Sequence, residues 1–176
     1  MQRSLHPVVL EAAKIFLSAL VAYALVYPFL LPEPVGLAQE LAVLGVAGAV
    51  TLGIVFFLLV ALYANDLRSI LALVAPESRK AKPHSVWWML VLPYNFIEDF
   101  FIIHAVSESL RHEASGNVKL AGLKSFGAFT GLGWCLAQIC SLIPNQLGSL
   151  FSLVALVLWV VHWRFIRKAK AALRLA

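Results

Sequence analysis

A chain of 176 residues that is 61% hydrophobic and only 13% charged carries more apolar side chains than a globule of this size can bury. A small soluble fold leaves about a third of its unfolded surface in water, so the surplus Leu, Val, Ala and Phe would form aggregating patches, and lipid is the solvent that fits. The formal charge of +5 brackets apolar runs instead of gathering on one polar face, which argues against nucleic acid and for membrane lipids as the partner of the basic residues.

From the N-terminus, Leu5, Val8, Val9, Ala12 and Ala13 fall at helical spacing against Arg3, Glu11 and Lys14, the pattern of an interfacial segment before the chain enters the bilayer. The early Glu11 and Lys14, and the lack of a small-x-small site afterwards, argue against a cleavable signal. Residues 15–31 are free of charge and predict a first span bent near Pro28 and ended by Pro32-Glu33-Pro34. Residues 41–63 predict a second span, with Gly45, Ala49 and Gly53 at intervals of four that let another helix approach closely. Over 65–75, Leu67, Ile70, Leu71 and Val74 make one apolar stripe opposite Asp66, Arg68 and Ser69, and this reads as an interfacial helix.

A polar, basic loop at 76–85 leads into 86–104, which is apolar but interrupted by Pro93, Asn95, Glu98 and Asp99. A clean span resumes over 125–143, where Gly127 and Gly131 form a second small-residue face. Pro144-Asn145-Gln146 then turns the chain into a span over 147–163, so these two helices are antiparallel neighbours. The tail, 164–176, interleaves Arg164, Arg167, Lys168, Lys170 and Arg174 with Ile166, Ala169 and Leu173, suited to anchoring on anionic headgroups.

Lys and Arg occur before the first span, between 63 and 86, between 104 and 125, and in the tail, with none in the two remaining connections. Positive residues mark cytoplasmic loops, which puts both termini inside a cytoplasmic (bacterial inner) membrane. A spanning 86–104 would carry Arg111, Lys119, Lys124 and the tail outside. The arrangement that obeys the rule is therefore all-α: four spans in two hairpins with 86–112 re-entrant or interfacial. Within it, 87–92 descend, 93–95 turn, and 96–112 return. The rival is a kinked fifth span facing a bundle interior.

Glu98, Asp99 and Asn95 are the candidate ion or proton site, because ionisable groups at membrane depth face cavities or partners and take part in charge movement. The plainer alternative is that both acids sit at headgroup level and bond nearby Trp or Lys. Consecutive helical residues diverge by roughly 100°, so one cavity receives at most one of the two. Asn95 beside Pro93 is suited to satisfying carbonyls freed by the break. The histidines, His6, His84, His104, His112 and His162, lie toward the cytoplasmic edge, which speaks against haem, and Cys135 and Cys140, five apart on one helix, make neither a disulfide nor a metal pair. No catalytic constellation, metal site or cofactor is expected, and Gln138 reads as a helix-to-helix hydrogen bond.

Tyr63, Asn65, Leu67, Trp87, Trp88, Pro93 and Asn95 together resemble a family of bacterial polytopic membrane proteins of unknown function, in which a span ending in tyrosine and asparagine precedes a Trp-Trp pair and a Pro-x-Asn. The resemblance covers residues 59–112. It implies a polytopic helical fold and supplies no activity.

The expected function is that of a non-enzymatic accessory or scaffold component that packs with a protein partner or as a homo-oligomer through the Gly45-Ala49-Gly53 and Gly127-Gly131 faces. The alternative is a small channel or ion-coupled transporter using Glu98 and Asp99. A weaker one is a lipid-modifying membrane enzyme.

Overall fold

The computed structural model describes residues 7–33, 35, 37–120, 122–123 and 125–174. Arg3, His6 and Lys124, which enter the charge and histidine arguments above, lie outside them. The described chain is helical with no strand, so its packing is helix on helix throughout. Three helices are long and apolar enough to cross a membrane.

Helix α1 covers Pro7–Leu30, with Pro28 inside its last turn. Helix α2 covers Leu37–Leu73 and is broken at Gly45, whose φ of +66° is a left-handed conformation that a Cβ would strain. A 3₁₀ segment, Pro83–Leu90, precedes α3, Asn95–Ala114. A single 3₁₀ turn at Val118–Leu120 leads to α4, Ala128–Cys140, and α5 covers Gln146–Arg174.

The ends of these helices follow from local chemistry. Arg79 donates through Nη2 to the Val74 and Ala72 carbonyls at 3.0 and 3.3 Å, satisfying acceptors that the end of α2 leaves open. The Ala75 N–H donates to Glu113 Oε2 at 3.1 Å, which fastens that end to α3. Gly127 has a φ of +78° where α4 starts. Asn145 Oδ1 accepts the Leu147 N–H at 2.9 Å and caps α5.

Helices α2 and α5 run parallel, because contacts climb both sequences together: Phe56 meets Trp159 at 6.2 Å, Tyr63 meets Trp163 at 5.9 Å, and Asp66 meets Lys170 at 2.7 Å. Helix α4 runs antiparallel to α5. A Cβ at Gly127 would lie against Phe165 and His162, and one at Gly148, on α5, would collide with the Ile143 carbonyl. Residues 83–114 form a V against this frame. The 3₁₀ segment goes back along α2, where Leu90 shares a groove with Val50, Gly53, Ile54 and Phe57. Helix α3 then returns, from Phe96 and Ile97 beside Val21, Ile139 and Leu142 to Ser109 and Glu113 beside Lys80 and Ala75.

Two expectations are corrected and a third is met in part. Residues 65–73 are not a separate interfacial helix but the continuation of α2, and Leu67, Ile70, Leu71 and Val74 are buried in protein. The tail is likewise the continuation of α5. Its stripe of Ile166, Ala169 and Leu173 joins the same core. The expected span at 125–143 is a helix of 13 residues, about 20 Å long against a hydrocarbon core of about 30 Å. The expected break at 93–95 falls between the 3₁₀ segment and α3, and 86–104 is not one rod.

The most tightly packed part of the molecule is thus the end where the C-terminal halves of α2, α3 and α5 meet the 3₁₀ segments. Only 17%, 6% and 22% of the apolar windows of α1, α2 and α5 are buried within the chain, so most of their side chains are at least partly exposed.

Candidate functional site

The turn at 91–94 restarts the chain as α3 and places its first turns among α1, α2 and α4, which buries a polar cluster. The Asn95 N–H donates to the Val91 carbonyl at 2.9 Å across the break. The Asn95 side chain is buried with Oδ1 unpartnered, so the backbone bridges the break where the side chain was expected to.

Glu98 and Asp99 leave α3 in different directions, as their helical divergence requires. Glu98 Oε2 lies 2.7 Å from Lys14 Nζ of α1, and both residues are more than nine-tenths buried. The same ammonium sits 3.3 Å from Glu11 Oε1 and 4.3 Å from the centre of the Phe101 ring, so two carboxylates and an aromatic face surround it. The Tyr94 hydroxyl donates to Glu11 Oε2 at 3.3 Å, and its ring meets Trp88 edge-on at 5.7 Å. A buried charge pair holds when both partners stay together and becomes costly when one is lost. These contacts and a small cluster of Val21 with Phe96 and Ile97 fasten α1 to the rest of the chain.

A cleft of about 410 Å³ leads to this place, lined by Lys80, Ser85, Glu98, Phe101, His104 and Glu108 among others. Its α3 wall follows from spacing, because residues 98, 101, 102, 105 and 108 fall on one stripe of that helix.

Asp99 is 2% exposed and its Oδ1 has no partner. Helix α3 is not one of the three long apolar helices. Burial, and secondarily the Glu98 carboxylate, push Asp99 well above the usual carboxylate range. It lies within electrostatic reach of Tyr63 and Cys135. Tyr63 is fully buried inside rings from Trp134, Trp159, His162 and Trp163, at 5.6 to 6.0 Å. His162 Nδ1 meets Thr130 Oγ1 at 3.1 Å. Among the described residues, no three His, Cys, Asp or Glu side chains converge as metal ligands do.

The two glycine faces differ. A Cβ at Gly131 would collide with Ile103 and lie 2.8 Å from His162, so the Gly127-Gly131 face is filled by α3 and α5 of the same chain. A Cβ at Gly45 or Gly53 would meet nothing within 4 Å, and Val43 and Val46 nearby are 83% and 84% exposed. Of the tail cations, Arg164, Arg167, Lys168 and Arg174 are exposed, whereas Lys170 is held by Asp66.

Lys14 is the member of the site that sequence reasoning missed. Standing at the margin of an apolar run, it reads in the sequence as part of an interfacial segment. The signal was that α1 carries one cation there while the apolar stretch of 86–104 carries acids. An ion pair between helices answers both. No family model matches the chain, and no curated protein or solved structure is significantly similar to it.

Proposed function

We propose that this protein is a multi-pass component of the cytoplasmic membrane that acts by packing with a protein partner or a second copy, without enzymatic activity. The chain crosses four times, as α1, α2, the α4 arm and α5, with both termini cytoplasmic and residues 83–114 re-entrant from that side. Parity supports the topology. Parallel α2 and α5 require an odd number of crossings between them, and α4, antiparallel to α5 along its length, supplies one. If the cytoplasmic boundary of α2 lies near Asp66, Leu90 beside Ile54 and Phe57 reaches roughly 15 Å inward, about half of the hydrocarbon core.

The observation that carries the packing role is the contrast between the two ends of the molecule. The cytoplasmic end is packed to full burial, whereas only 6% of the residues in the apolar window of α2 are buried by its own chain, and a Cβ at Gly53 would meet nothing within 4 Å. Small residues let a neighbouring helix approach closely in lipid. Light scattering of the protein in mild detergent, with cysteine cross-linking from Ala49, tests this. Assembly that Ala49→Ile weakens is the expected result, and a monodisperse, partnerless monomer that forms no cross-link overturns it.

A second reading, ion coupling through Glu98, Asp99 and Asn95, is favoured by the cleft that Glu98 lines and by the buried, unpartnered oxygens of Asp99 and Asn95. It predicts cation or proton flux in liposomes that Glu98→Gln with Asp99→Asn removes. Flux unchanged by that pair of substitutions sinks it.

A further inference from the structure

Lys14 is placed the way a bound amine is placed. Its ammonium is salt-bridged to Glu98, lies over the face of Phe101 and is completed by Glu11, whose other oxygen is held by the Tyr94 hydroxyl. Carboxylate plus aromatic face is the recognition chemistry of organic ammonium ions. Two of these groups, Glu98 and Phe101, also line the cleft of about 410 Å³, so the place occupied by the lysine head borders a space within the range of small-molecule sites. The other cation in the cleft wall, Lys80, forms no ion pair among the salt bridges of the described residues. The helix that brings Lys14 has little other burial, with 17% of its apolar window buried.

We propose that Glu98, Phe101 and Glu11 form a binding site for a primary ammonium group, that Lys14 is its tethered occupant, and that a free alkylammonium ion reaching Glu98 through the cleft competes with that lysine. Exchange of one ammonium for another keeps Glu98 paired throughout. Displacement of Lys14 would free the cytoplasmic end of α1 from α3. The inference does not depend on whether the chain assembles with a partner, since the site lies within one chain.

The test uses the full-length protein in detergent with n-butylammonium as probe and n-butanol as its uncharged counterpart, read by tryptophan fluorescence, because Trp88 packs on Tyr94 at the site. Lys14→Ala should bind n-butylammonium at least tenfold more tightly than the unsubstituted protein, n-butanol should bind neither, and Lys14→Ala with Glu98→Gln should lose the gain. If Lys14→Ala does not fold alone, n-butylammonium present during solubilisation should restore a monodisperse protein where n-butanol does not. Equal affinity of the Lys14→Ala and unsubstituted proteins, retention of binding without the Glu98 carboxylate, or failure of the amine to rescue a misfolded Lys14→Ala each overturns the proposal.

Discussion

Asp66 on α2 and Lys170 on α5 meet at 2.7 Å, and the Trp163 indole N–H donates to the second Asp66 oxygen at 2.8 Å. The carboxylate is satisfied on both oxygens, and the side chains of the ion pair are only 17% and 13% exposed. This three-residue clasp ties together the two parallel helices just where their apolar stretches give way to the packed end of the molecule.

Removing one partner of the clasp leaves the other charge buried and alone. Asp66→Ala and Lys170→Ala should therefore each lower stability by about 3 to 5 kcal/mol, seen as a drop in melting temperature in detergent. Asp66→Leu with Lys170→Met should recover most of the loss, because apolar side chains of similar volume replace a buried pair at little net cost. Single substitutions that melt like the unsubstituted protein would show that the pair is solvated and contributes little.

The glycine faces give opposite expectations for one change. Gly131→Ala forces a methyl group against Ile103 and His162 and should destabilise the chain by about 1 to 3 kcal/mol, while Gly53→Ala, with open space around it, should leave the melting temperature unchanged or raised. Gly53→Ile should weaken association without touching the stability of the single chain. Equal losses for Gly131→Ala and Gly53→Ala, measured by thermal melts at low protein concentration, would refute the assignment of one face to the interior and the other to the exterior.

What the sequence made legible were features with one physical cause. The charge-free run at 41–63, the turn at Pro144-Asn145-Gln146 and the break at Pro93 each have a local reason, and each is present in the structure. The stripes at 65–75 and 164–176 were legible as amphipathic but not as partners. An apolar stripe states that something covers it, and lipid headgroups and another helix leave the same pattern of residues. Here Leu67, Ile70 and Leu71 share a core with Ile166, Ala169 and Leu173. The Lys14 and Glu98 pair was hidden for a related reason. Each residue has a reasonable solitary explanation in its own segment, and only the way α1 crosses α3 joins them.

Asp99 contributes to the pH dependence of stability. Its native pKa lies well above the ordinary value of 3.8, held there first by burial and then by the Glu98 carboxylate. Below about pH 4 both the native and the unfolded chain hold the proton, and Asp99 contributes no penalty. As pH rises past that point the unfolded chain releases its proton while the native chain retains it, so unfolding gains about 1.4 kcal/mol per pH unit until the native group also ionises. The contribution of Asp99 to stability in detergent should accordingly fall as pH rises above about 4. Asp99→Asn keeps the shape of a neutral acid without a proton to lose, so it should remove this part of the slope and melt higher than the unsubstituted protein at pH 8, with the gap narrowing steadily as pH falls toward 4. An asparagine variant that melts lower at every pH would mean that Asp99 is ionised in the folded chain, paired with a cation that its unpartnered oxygen does not reveal.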